Sequence, residues 1–173
     1  MAGDDDPDRP VETDAPADEP FDVRIESLTV TPISYAWIPV LSEETTVYHF
    51  PEPITGFMRD VLRQPAVFRW KVTSPHSATE YFIGETEELC PRGIYQYLKP
   101  GASQPEHQRL NALFLSRIKH GASVTIDFLG FAPFSVGEIA INQESLADPH
   151  VRALVEELVI VVMNADEGTG SRD

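Results

Sequence analysis

Apolar and polar positions change period several times along the chain, and each change predicts an element. Val23, Ile25, Leu28 and Val30 alternate in part, and the run from Phe21 to Leu41 is rich in Val, Ile, Thr and Tyr with breaks at Pro32 and Pro39. That pattern predicts two short strands. Ile54, Phe57, Met58, Val61 and Leu62 then fall at helical spacing, predicting an amphipathic helix over Ile54 to Arg63 that stops before Pro65. A β-type run over Ala66 to Thr73, loop residues Ser74-Pro75-His76-Ser77 and a second run over Glu80 to Ile83 predict a hairpin. Beyond Gly84, Thr86 reads as an N-cap with Glu87 and Glu88 in the first turn. Pro91 cannot sit inside a smooth helix, so a single early turn or a restart at Pro91 is expected. Leu110, Leu113, Phe114 and Ile118 give Glu106 to His120 one apolar face, closed by Gly121. Ser123 to Phe131 reads as a strand. Pro149 to Met163 reads as a helix burying Val151, Leu154, Val155, Leu158, Val159 and Val162.

The order of these elements predicts an α/β (α+β) fold, a small, mainly antiparallel three-stranded sheet flanked by helices with extra β elements in front. Residues 65–164 would form the core domain, 21–64 would pack on it, and 165–173 would be a flexible end. The segment 1–20 differs in kind. It carries eight acidic residues against Arg9, with prolines between them and little to bury, so a solvated acidic tail is expected. No charged n-region followed by an apolar stretch opens the chain, and no apolar run approaches the roughly 20 residues that span a bilayer. A cytoplasmic protein without a membrane partner is the expectation. Cys90 is the single cysteine, so an internal disulfide is excluded and no Cys/His spacing suggests zinc.

The net charge of −15 argues against an extended basic surface for phosphate. The tail contributes −7 of it, which leaves room for a locally basic site on the domain.

Candidate chemistry centres on three blocks: Ala66-Val67-Phe68-Arg69-Trp70, the stretch Phe82-Ile83-Gly84-Glu85-Thr86-Glu87-Glu88-Leu89-Cys90-Pro91-Arg92, and Tyr97-Leu98-Lys99-Pro100-Gly101. In this order they resemble the core of the GIY-YIG endonucleases. The resemblance covers about Pro65 to Asn164, and Gly84 stands at the glycine of the second signature motif. It implies a metal-dependent endonuclease that hydrolyses phosphodiester bonds in DNA. A tyrosine would activate water, an arginine would offset charge on the phosphorus oxygens, and one glutamate would hold Mg²⁺ (or Mn²⁺). Carried over residue by residue, Arg92 becomes the phosphate clamp, Glu156 the metal ligand with Glu157 as its rival, and His107 a supporting histidine. Asn164 matches an asparagine that follows the metal helix.

Two positions depart from the pattern. Phe68 and Phe82 stand where the two signature tyrosines are expected, and a phenyl ring can neither accept nor deliver a proton. Tyr81 adjoins the second position, but strand neighbours face opposite sides, so it reaches the same site only through a bulge. Gly93-Ile94-Tyr95 spells a signature triplet yet reads more simply as helix. Three readings stay open: an active nuclease, a catalytically degenerate domain that binds nucleic acid or protein, and an unrelated α/β protein. On the plainest physical reading Phe68, Trp70 and Phe82 are core aromatics of a sheet, and Arg92 is a solvated cation paired with a nearby acid.

Overall fold

The computed structural model describes residues 32–169, with side chains through Asn164. The acidic tail and the first of the two expected N-terminal strands lie outside the described residues. Strand β1 (Tyr35–Pro39) is the second of those strands. A loop carrying Val40, Tyr48 and Phe50 into the core leads to helix α1 (Gly56–Val61), capped by Thr55, whose Oγ1 accepts from the Met58 amide at 3.2 Å. The cap satisfies one of the free amides of the first turn. Strands β2 (Ala66–Thr73) and β3 (Glu80–Thr86) form the expected hairpin.

The sheet has four strands rather than three, in the order β1-β4-β2-β3, and every pairing is antiparallel. Strand β4 (Ser123–Phe131) inserts between β1 and β2, so the front region is an integral edge of the sheet and not an addition to it. A second hairpin, β5 (Phe134–Val136) with β6 (Ile139–Ile141), turns at Gly137, whose φ of 59° suits glycine. Among the described residues no helix is long and apolar enough to cross a membrane.

Alternation along the strands gives the sheet two covered faces. Ala66, Phe68, Trp70 and Val72 point to one side, where Met58 of α1, Ile94 and Tyr97 of α2 (Ile94–Leu98), and Leu110 and Phe114 of α3 (Pro105–Lys119) close over them. Five aromatic rings meet there largely edge to face: Phe50, Phe68, Trp70, Tyr97 and Phe114. Val67 and Leu129 point the other way, against Phe134, Ile141, Leu146, Val155 and Val159, the last two from α4 (Pro149–Thr169).

Several boundaries differ from the sequence reading for local reasons. Thr86 is the last residue of β3 and not a helix cap, because β3 stays paired with β2 until Ala66. The helical turn that follows starts at Leu89, and Cys90 is extended (φ −136°, ψ 133°) ahead of Pro91, as the steric conflict before a proline requires. α2 restarts beyond it, and Gly93-Ile94-Tyr95 opens that helix. α4 continues past Met163, and its apolar stripe is wider than the sheet it meets. Leu154 (39%) and Val162 (41%) are exposed, although the helical spacing predicts them buried.

Candidate functional site

Of the residues singled out by the resemblance, Phe68, Phe82 and His107 lie on the side of the sheet covered by α2 and α3, whereas Glu156 belongs to α4, which packs against the opposite face, and Arg92 stands in the turn after β3. Phe68 lies in β2 opposite Gly84, and its ring tip sits 3.0 Å from where a Cβ on residue 84 would stand. Gly84 therefore admits an aromatic ring that any other residue would crowd. The Phe68 ring is 2% exposed and meets Tyr97 edge to face, with centroids 6.0 Å apart. Phe82 points to the same side of the sheet, against Phe114 at 5.6 Å. Phe68 and Phe82 are thus both aromatics of the core on this face.

Tyr97 is the phenol nearest this cluster. It packs on Trp70 at 5.2 Å and receives the His107 ring edge to face at 4.6 Å, so His107, on the first turn of α3, is a neighbour of Phe68 through one ring. Asn111 fixes α2 against α3 by donating to the Tyr97 carbonyl at 2.6 Å. Burial pushes the Tyr97 phenol up to about 12, with Trp70 pulling it down and the charges of Glu106 and Glu156 adding to the rise. At neutral pH it is a proton-bearing group. The Trp70 indole nitrogen lies near enough to act on that phenol, yet it is buried without a partner in hydrogen-bond geometry.

The charged candidates stand at the C-terminal end of β3 on separate acids. Arg92 is exposed and pairs with Glu87 at 3.5 Å. Glu156, on the inward side of α4, is raised by burial first and then by the negative charges of Glu85 and Glu157. Glu157 is exposed, whereas Glu156 is half-buried. Asn164 is exposed near the end of α4. Arg92 and Glu156 form no ion pair with each other.

Tyr81 lies on β3 itself but points away from the two phenylalanines. The β2–β3 ladder runs without a bulge from Ala66↔Thr86 to Val72↔Glu80, so Tyr81 faces away from Phe68 and Phe82. It stacks instead on Arg69, whose guanidinium carbon lies 4.5 Å from the Tyr81 ring and 4.4 Å from the Trp37 ring. Arg69 donates to Asp127 at 2.9 Å, and both side chains are nearly buried. With Trp37 and Tyr81 this pair links all four strands, and it was not singled out from the sequence. Two charged residues inside otherwise apolar strands are the signal that would have found it.

No family model, curated protein or solved structure matches the chain.

Among the described residues, no three His, Cys, Asp or Glu side chains come together to hold a metal ion. Mg²⁺ accepts one or two carboxylates and completes its shell with water and phosphate, so the fit rests on Glu156 alone. Glu85 is already engaged by the buried Arg152, which also donates to the carbonyls of Leu146 (2.8 Å) and Ala147 (3.1 Å). Arg152 is the second residue that sequence reasoning missed, and its place one turn before Glu156 on α4 was the available sign.

Proposed function

We propose that the chain is a GIY-YIG-like domain that has kept a binding scaffold without phosphodiester hydrolysis, and that its partner is a protein. The observation that carries this reading is the absence of a proton acceptor among the rings at the signature positions. Phe68 and Phe82 lack hydroxyls, and burial holds the neighbouring Tyr97 at about 12, far from a base at neutral pH. Tyr81 faces the other side of the sheet. A protein partner is favoured over nucleic acid by the net charge of −15, and by Arg63, Arg69, Arg92, Arg109, Arg117 and Arg152 all being paired with carboxylates. Each such arginine has to give up its carboxylate before it can neutralise a phosphate, which weakens the electrostatic gain from nucleic acid.

One observation favours a second reading, a Mg²⁺- or Mn²⁺-dependent DNA endonuclease. Arg92 pairs with Glu87 just beyond β3, and Glu156 lies near Glu85, where burial first and then the charges of Glu85 and Glu157 raise its carboxyl, a setting in which a bound divalent cation would favour the carboxylate. On that reading Glu156 is the protein ligand, and the ion stabilises charge on the leaving oxygen. The two readings separate in one experiment. Supercoiled and single-stranded DNA are incubated with the full chain and either metal, beside Arg92→Ala and Glu156→Ala. The binding-module reading expects no cleavage above that of the two variants. Cleavage by the wild-type chain that is lost in both variants would overturn it in favour of the nuclease.

A further inference from the structure

Beside the aromatic core, a groove of about 380 Å³ opens between the loop before α1 and helix α2. Pro51, Pro53, Pro91 and Tyr95 give it an apolar floor, and Arg59 and Lys99 flank it. Tyr95 is 48% exposed, and the Lys99 ammonium lies 5.8 Å from its ring centroid. Neither Arg59 nor Lys99 has a carboxylate within ion-pair distance among the described residues, whereas six arginines elsewhere do. In a chain of net charge −15, two uncompensated cations beside one apolar groove suit an anionic ligand. Prolines and an exposed tyrosine suit an extended, proline-containing one, because polyproline II segments dock on aromatic and proline rings at low entropic cost.

The chain carries a segment of that chemistry. Between Asp4 and Glu19 lie eight acidic residues with Pro7, Pro10 and Pro16, outside the described residues. From Pro20 to Pro32, where the described chain begins, twelve residues can reach about 40 Å when extended. A domain of this size measures roughly 37 Å across, about 58 Å halfway around its surface, and the linker together with the adjoining residues of the segment covers that path. We propose that this groove is the docking site of the chain's own acidic segment Asp4–Glu19, with prolines against Tyr95 and the neighbouring prolines and carboxylates facing Arg59 and Lys99. This inference is independent of whether the domain hydrolyses DNA.

A nitroxide on Ala15→Cys in the full chain tests it, since Cys90 is fully buried and protected from labelling. Low-salt amide spectra should show paramagnetic broadening confined to residues around Ile54, Arg59, Tyr95 and Lys99. Broadening should fall several-fold at about 0.5 M salt, where the screening length is about 4 Å. It should also be lost in Arg59→Glu/Lys99→Glu, whose dispersed spectrum checks folding. Uniform or absent broadening would overturn the proposal. So would broadening at the apolar cleft lined by Tyr35, Phe131 and Val159, or broadening that persists in the double variant.

Discussion

Gly84→Ala tests whether the Phe68 ring is as constrained as the geometry implies. The new Cβ would stand 3.0 Å from Phe68 Cζ and 3.5 Å from both Cε atoms, against ordinary carbon contacts of about 3.5–4.0 Å. Rotating the ring about its own axis leaves Cζ in place, so relief requires moving the whole ring or the strand by about half an ångström. Tyr97, edge to face with Phe68 and itself packed on Trp70, restricts that movement. Overpacking of this kind costs about 1–3 kcal/mol. Gly84 has no positive φ, so alanine recovers about 0.4–1 kcal/mol from the unfolded state. The midpoints leave a net loss of about 1.3 kcal/mol, or roughly 4–5 °C in Tm for a domain of this length. Urea denaturation followed by tryptophan fluorescence, with thermal melts, reads it. In a Phe68→Leu background, where Cζ is gone, the same alanine should cost nothing, giving a coupling of about 1 kcal/mol or more. A Gly84→Ala protein at least as stable as wild type would refute the reasoning.

Asp127→Asn keeps the side chain's shape but leaves the Arg69 guanidinium between Trp37 and Tyr81 without a counter-charge, and should cost about 2–4 kcal/mol, while Arg69→Met/Asp127→Leu should lie much closer to wild type. A single substitution costing no more than the double one, measured by the same urea titration, would contradict this. Glu156 has a folded-state carboxyl raised above its ordinary value, so its ionisation opposes folding once pH exceeds the normal glutamate range of about 4.5. Glu156→Gln should therefore stabilise the protein at pH 7, with the gain shrinking as pH falls through that range; a gain that grows toward acid pH would reverse the sign of the argument. Burial pushes the Cys90 thiol up to about 11, so a disulfide reagent at pH 8 should react at least tenfold more slowly with the folded than with the urea-unfolded protein.

Long elements with an unbroken period were legible in the sequence. The alternation through Phe68, Trp70 and Val72, and the helical stripe through Leu110 and Phe114, name their own buried faces. The place of β4 between β1 and β2 was not legible, because Tyr35 pairs with Phe131 across a separation that local pattern does not reach. The β5–β6 hairpin escaped for a different reason. Its strands have three residues each, too few for a period to register beside Pro133 and Gly137. Tyr97 suffered likewise, since a helix of five residues presents no stripe that says which tyrosine turns inward. Strand parity carried the site reading furthest, separating Tyr81 from Phe82 with no structure in hand. It could not show what Tyr81 faces, because Asp127 and Arg69 are 58 residues apart.

The two phenylalanines and the fold they stand in bear on each other energetically. A hydroxyl on Phe68 would be carried by Cζ, the atom nearest Gly84, inside a cluster that already contains the buried, unpartnered Trp70 indole nitrogen. Burying a further polar group there without a hydrogen bond costs about 1–3 kcal/mol. On the proposed reading, an active nuclease would bear that cost because the hydroxyl performs chemistry, whereas a binding domain is more stable without it. Phenylalanine at both positions, with the ring packing intact and the charges of Arg92 and Glu85 neutralised by partners of their own, follows from the second case more directly than from the first.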